Sequence, residues 1–157
     1  MTVHLRTANA RDLDALRDVY RRSSLSNASD RDALLAHPDA LELAGDGLDD
    51  GRTFVAVDDG RILGFATLGL GADGAVDLDD LFVDPDTMRQ GIGRRLVAEA
   101  AARARTAGAV RIDVTANPDA RAFYESVGFV GVGEDETRFG PAPRMSLEIR
   151  EAPADPP

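Results

Sequence analysis

Apolar residues return along this chain at two different spacings, and each change of spacing marks an element boundary. "TVHLR" near the start alternates as a strand does, and in "ANARDLDALRDVYRRS" Leu13, Leu16 and Tyr20 fall on one helical face. A second helical stretch is expected within residues 28–44. "RTFVAVDDGRILGFATLGL" reads as two strands joined by an Asp-Asp-Gly turn, and "AVDLDDLFVDP" as a third, with Asp73-Gly74 reversing the chain before it. The period then lengthens. Between Gly91 and Gly108, Ile92, Leu96, Val97, Ala100, Ala101 and Ala104 share one side of a helix, and Gly108 suits its C-terminal stop. "VRIDVT" returns to a strand, "NPDARAFYESVG" to a short helix, and "FVGVGE" and "RMSLEI" close the pattern as strands. No internal repeat interrupts it. These elements make one domain over residues 1–150, and "EAPADPP" (151–157) is expected to be an unstructured tail.

Composition narrows the picture. A chain of 157 residues buries roughly 68 to 70% of the surface that its unfolded form exposes. With aromatics at only 5% and no tryptophan, that core has to be built from Ala, Val, Leu and Ile. The formal net charge of -10 offers no basic field to displace counterions from nucleic-acid phosphates, so nucleic acid is not an expected partner. Cationic partners are favoured instead. All 18 basic residues are arginine. Without cysteine there is no thiolate nucleophile and no Cys-based metal site, and His4 and His37 stand apart with no ligand set around them, so no metal is expected. No apolar run approaches the ~20 residues of a membrane span, and "MTVHLRTANA" lacks the apolar stretch of a signal peptide. The expected address is the cytoplasm.

The stretch "MRQGIGRRL" (88–96) places arginines where a helix begins, against the positive end of its dipole. A strand ending at Val83, a turn, Gly91 and Gly93 and then a helix form an anion-binding arrangement, because the first amides of a helix lack intrahelical partners. The glycines let a phosphate approach the main chain, and Arg89, Arg94 and Arg95 offer charge-assisted hydrogen bonds. Exposed arginines tolerated at small cost are the competing reading. A P-loop is excluded because the chain has no lysine. "GLGADG" (69–74) has the letters of a dinucleotide fingerprint, but a strand follows it rather than a helix, so it is a hairpin.

"LFVDPDTMRQGIGRRLVAEA" (81–100) resembles the acetyl-CoA pyrophosphate motif of the GNAT superfamily, the Gcn5-related N-acetyltransferases, usually written Arg/Gln-x-x-Gly-x-Gly/Ala. "NPDARAFYESVGF" (117–129) resembles that family's second motif, and the resemblance covers nearly the whole chain. One position departs: Met88 stands where Arg or Gln is usual, with Arg89 and Gln90 just after it. The resemblance implies an α/β (α+β type) fold with a mixed, twisted sheet of about six or seven strands, splayed at its centre and flanked by about four helices. It implies that the main chain at Phe82 and Val83 pairs with the pantetheine arm of acetyl-CoA. The amides of Arg89, Gln90, Gly91, Ile92, Gly93 and Arg94 would hold the pyrophosphate, with Asn117 as a further cofactor contact. Asn117 before Pro118 is in its own right a good helix N-cap.

Such a transfer needs a base for the amine and an acid for the departing thiolate. Tyr124, a phenol with an ordinary pKa of about 10, is the candidate acid on the resemblance. Ala120, Phe123, Tyr124 and Val127 also form the stripe of a buried helical face, so core packing is the alternative. For the base, strict alternation in "AVDLDDLFV" puts Asp77, Asp79, Leu81 and Val83 on one face and Leu78, Asp80 and Phe82 on the other. Some relatives carry an acidic base at the position of Asp77, and Asp79 is nearer the splay. Like-charged neighbours in the Asp77, Asp79 and Asp80 cluster are the means of raising a pKa. A solvated acidic strand end, with water as the base, is the alternative. The function expected is an acetyl-CoA-dependent N-acetyltransferase, acting on a small-molecule or peptide amine by direct transfer in a ternary complex. A homodimer would fit the resemblance. A non-catalytic acyl-CoA sensor and an acidic interaction module on the same fold are the rival readings.

Overall fold

The structure, a computed structural model, describes residues 2–27, 30–71 and 73–149, so the expected tail lies outside the described residues. Seven strands form one sheet: β1 (His4–Thr7), β2 (Thr53–Asp58), β3 (Arg61–Leu70), β4 (Ala75–Val83), β5 (Arg111–Thr115), β6 (Val130–Thr137) and β7 (Gly140–Glu148), in the order β1-β2-β3-β4-β5-β7-β6. Among the described residues only β4 and β5 run parallel. Among the described residues there are four α-helices: α1 (Leu13–Leu25), α2 (Arg31–Ala36), α3 (Ile92–Thr106) and α4 (Arg121–Ser126). The β2–β3 hairpin closes on Asp59 and Gly60, both at positive φ, which is the backbone a two-residue turn demands.

The central strands separate two apolar layers. Phe54, Ala56, Leu63, Ala66 and Leu78 meet Ile92, Leu96, Val97, Ala100 and Ala104 of α3 on one side. Val55, Val57, Ile62 and Phe65 meet Leu16 and Val19 of α1 on the other. That is why every residue from Thr53 to Val57 is buried although the chain there keeps the local pattern of a strand. Small alanines along α3 let it lie close on the sheet, as the apolar spacing requires.

The closing hairpin is longer than its apolar pattern. The apolar pattern begins the last strand at Arg144, yet β7 starts at Gly140 and takes in Pro141 and Pro143. The carbonyl of Pro143 accepts from Ala116 N–H at 2.9 Å, so its missing N–H faces the β5 side, beyond the last pair, Thr115 with Arg144. No bond of the β6–β7 ladder is lost there. Among the described residues no helix is long and apolar enough to cross a membrane.

Candidate active site

Strands β4 and β5 pair only at residues 75–77 with 111–113, and then diverge. The cause lies two residues on. Thr67 of β3 pairs with Asp80 and Leu68 with Leu78, so Asp79 is an extra residue in β4. Such a bulge bends the strand and adds twist. Beyond it β4 keeps its ladder to β3 while its other edge is open. The bond from Asp84 N–H to Leu63 O, at 2.7 Å, fixes the alternation of that ladder. Phe82 and Asp80 therefore exchange bonds with β3, and the main-chain groups of Leu81 and Val83 point into the gap. Phe82, expected to offer its main chain to a cofactor arm, spends it on β3 instead.

The bulge also corrects the expected faces. Leu81 and Val83 share the α3 face with Leu78 and Val76. Phe82 instead packs edge-on against Tyr20 of α1, with ring centroids 4.8 Å apart. Asp77 and Asp80 thus lie on the α1 face, and the Asp79 carboxylate lies over Gly69, the β3 partner of Asp77. The signal was present in the sequence. Val76 and Leu78 are two apart, Leu81 and Val83 are two apart, but three positions separate Leu78 from Leu81.

At the far end of the gap the chain turns through Asp84–Thr87 into an exposed arc, residues 88–91, where Arg89 has φ 66° and Gly91 has φ 81°. Gly91 caps α3 with no side-chain hydrogen bond. The first helical amide with a partner is that of Arg95, to Gly91 O at 3.0 Å. Among the described residues the amides of Ile92, Gly93 and Arg94 have none, and they lie at the positive end of a fifteen-residue helix. This cradle fits a diphosphate. The two glycines serve it differently from the expected way. A Cβ on Gly91 would meet nothing within 4 Å, so that residue is needed for its left-handed backbone. A Cβ on Gly93 would meet the Phe123 ring at 3.0 Å and Val83 at 3.7 Å. Its bareness admits the Phe123 ring. Arg89, Gln90, Arg94 and Arg95 are exposed around the arc, with Arg94 reaching toward Ser126 O at 3.5 Å.

Through Phe123, helix α4 is set against the mouth of α3. Tyr124 is buried between Phe123 and Phe129, with ring centroids 5.3 and 5.2 Å away. Burial holds its phenol well above the ordinary range, so it stays protonated. Asn117 is the cap expected of it: its side-chain oxygen accepts from Asp119 N–H at 2.9 Å. Its amide group donates to Asp30, tying this end of the gap to the start of α2.

On the α1 face a pocket of about 330 Å³ is lined by Tyr20, Glu42, Asp46, Arg52, Asp79 and Asp80, among others. Four carboxylates face one guanidinium, and Arg52 is already bonded to Asp50 and to the carbonyls of Leu68 and Asp46. Burial, then the charges of Asp79 and Asp46, raise the pKa of Asp80 against a hydrogen bond from Thr67 and the charge of Arg52. Burial and Asp77 raise that of Asp79. Asp77 lies outside this pocket and pairs with Arg144 at 3.0 Å. Asp80, on the opposite face from Asp77 and Asp79 under strict alternation, is a more enclosed carboxylate here than Asp79. A larger hollow, of about 790 Å³, lies over β5, β6 and β7, where Arg111, Asp113, Arg144 and Ser146 largely pair with one another or with close neighbours.

A family model described as an acetyltransferase (GNAT) domain matches residues 49–131, more than half of the chain. Streptothricin acetyltransferase of Streptomyces lavendulae is 39% identical over 95 residues, covering 57% of this chain and 50% of that protein. Mycothiol acetyltransferase of Rhodococcus erythropolis is 37% identical over 84 residues, covering 53% of this chain and 27% of that protein. The matches thus span half and about a quarter of these curated relatives. A PaiA N-acetyltransferase from Thermoplasma acidophilum, solved in complex with coenzyme A, has the same fold. Its TM-score is 0.75 at 19% identity, covering 94% of this chain and 99% of that one.

Proposed function

This chain belongs to the GNAT acetyltransferase family, and from that premise we propose that it moves an acetyl group from acetyl-CoA to a primary amine by direct transfer, with both substrates bound at once. The observation that carries this reading is the row of unpartnered amides at Ile92, Gly93 and Arg94, beside the unpaired edge of β4. Acetyl-CoA, when bound, supplies an acetyl group activated as a thioester together with a thiol leaving group. The amides of residues 92–94, joined by the side chains of Arg89, Gln90 and Arg94, hold its diphosphate. Leu81 and Val83 offer main-chain groups to the amides of its arm, as a strand does to an added neighbour.

An amine is protonated in water and attacks only after losing that proton. Asp80 is the residue we assign to take it. Its raised pKa makes it a stronger base than an ordinary carboxylate, and Asp79 contributes to the raising. Tyr124 holds its phenolic proton at every working pH, which is the state a donor to a departing thiolate must be in. The chain has no cysteine to carry the acetyl group as a thioester of its own.

The acceptor is a small cationic amine. The carboxylates of Glu42, Asp46, Asp79 and Asp80 support this, as does the net charge of -10, which concentrates cations near the surface. The two curated relatives carry different compounds in their names, streptothricin and mycothiol. A thiol-release assay with acetyl-CoA against polyamines, aminoglycosides, amino acids and peptides tests the proposal. Turnover is expected with the cationic amines, weakening as salt rises. Coenzyme A binding in calorimetry with no turnover on any amine would leave a sensor, and no binding at all would overturn the reading.

A further inference from the structure

The most completely bonded side chain beside the site belongs to Asp84, which the activity proposed above does not use. It is fully buried. Its two oxygens accept from both terminal nitrogens of Arg22, each at 2.8 Å, from Arg61 at 2.8 Å and from Asp86 N–H at 2.9 Å. Its carbonyl accepts from Thr87 N–H at 2.9 Å and from Thr87 Oγ1 at 3.0 Å, and its N–H donates to Leu63 O. No polar atom of the residue is left over. A buried ion pair is a poor way to gain stability, since apolar side chains of similar volume often do as well or better. What this pair does supply is geometry, because a bidentate guanidinium fixes both distance and plane.

The geometry it fixes is that of the anion arc. Residues 88–91 are exposed and run between two anchors: the Asp84–Thr87 turn on one side, and on the other Ile92, which is buried under the sheet. The first anchor is held by Arg22 of α1 and by Arg61 at the start of β3, elements distant in sequence from the arc. We infer that Arg22 and Asp84 are positioning residues for the diphosphate: they aim the amides of residues 92–94 without touching the ligand. The inference rests on reading those amides as the diphosphate site. It also makes α1, whose Tyr20 lines the acidic pocket, a shared wall of both halves of the site.

The test compares two ligands by NMR titration: coenzyme A, and S-acetylpantetheine, which lacks the diphosphate. Arg22→Gln, Arg22→Lys and Arg61→Gln are measured beside the unaltered protein, with thermal melts of each. The two milder variants keep Asp84 paired with a cation, so the comparison survives if Arg22→Gln fails to fold. A misaimed amide loses a charge-assisted bond, so affinity for coenzyme A is expected to fall about tenfold in the Arg22 variants. A smaller fall is expected in Arg61→Gln, and affinity for S-acetylpantetheine should hold within twofold throughout. If both ligands weaken alike, or neither weakens, the positioning role is wrong while the diphosphate site stands. If the unaltered protein does not prefer coenzyme A to S-acetylpantetheine, the site reading fails and takes this inference with it.

Discussion

Replacing Asp80 by Asn separates chemistry from stability, because the two should move in opposite directions. The substitution keeps the shape and removes the charge and the proton-accepting capacity. A positioned general base contributes roughly 10² to 10⁴ in rate, so kcat/KM near neutral pH should fall by that factor. The pH profile carries the sharper signature. With Asp80 raised above its ordinary 3.8 by burial first and by Asp79 and Asp46 next, the unaltered enzyme loses activity on an acid limb centred above that value. The limb should vanish in Asp80→Asn. In Asp79→Asn it should persist but move to lower pH, since a like charge beside Asp80 is gone. Stability runs the other way. A carboxyl whose folded pKa is raised contributes stability that is complete below its unfolded pKa and is lost as pH rises through the folded one. At pH 7 the ionised Asp80 therefore costs stability. Each unit of upward shift is worth ~1.4 kcal/mol, or roughly 3 to 6 °C in a chain of this size before screening by water in the pocket. Asp80→Asn should melt higher than the parent at pH 7 and level with it near pH 3. A variant that keeps its rate within threefold and its acid limb in place, or that melts lower at pH 7, would refute the assignment.

Other substitutions probe the remaining parts. Gly91→Ala puts a Cβ on a left-handed residue in open space, at a cost of about 1 to 2 kcal/mol, so the melting point should drop by roughly 2 to 8 °C. Gly93→Ala gains about 1 kcal/mol of helix propensity but pushes a Cβ to 3.0 Å from the Phe123 ring; its melt should change little while kcat falls, because Tyr124 packs on that ring. Tyr124→Phe breaks no hydrogen bond among the described residues, so melting and coenzyme A affinity should hold while kcat drops about a hundredfold or more. Asp84→Asn leaves two arginines facing a neutral group. Both reach solvent, so the loss sits near the lower end of the ~3 to 5 kcal/mol range for a broken buried pair, a melt roughly 6 to 12 °C lower at pH 7. Because Arg22 and then the Asp86 amide and Arg61 hold the folded Asp84 pKa far below the usual carboxylate range, that stability is present above the unfolded value and fades as pH falls beneath it. The gap to the parent should close in melts taken below about pH 3.9.

The parts of this structure that were legible in the sequence are the local ones. The spacing from Ile92 to Ala104 gave α3 because a helix face is decided by residues three and four apart. Asp-Gly pairs gave both early hairpins because positive φ is a property of single residues. Asn117 before Pro118 gave the cap of the short 3-10 turn that leads into α4, again from adjacent residues alone. What failed was the assumption of an unbroken period of two across "AVDLDDLFV", and the failure lies in the one place where the strand departs from regularity to open the sheet. The pairing of Asp84 with Arg22 and that of Asn117 with Asp30 were out of reach for a different reason. Partners 62 and 87 residues apart are brought together only by the assembled sheet and its helices. Arginine is common enough here that no spacing singles out Arg22.

Asp80 and Asp84 show how far that assembled environment, rather than residue type, decides what a side chain does. They lie four positions apart on one strand and its exit, and both are withdrawn from bulk water. Withdrawal alone pushes a carboxylate toward its neutral form. Asp84 escapes this because two guanidinium groups and an amide replace the water it lost, and its charge becomes a fastening. Asp80 has a single hydroxyl partner and two like charges nearby, so its charge stays poorly compensated and its affinity for a proton rises. An arginine delivered to Asp80 would have quenched its basicity, and a missing arginine at Asp84 would have left the anion arc without an anchor. The nearest candidate, Arg52, is held off by three other acceptors and approaches only Asp79, at 4.0 Å. The routing of arginines, not the count of aspartates, is what separates the base we propose from a brace on this strand.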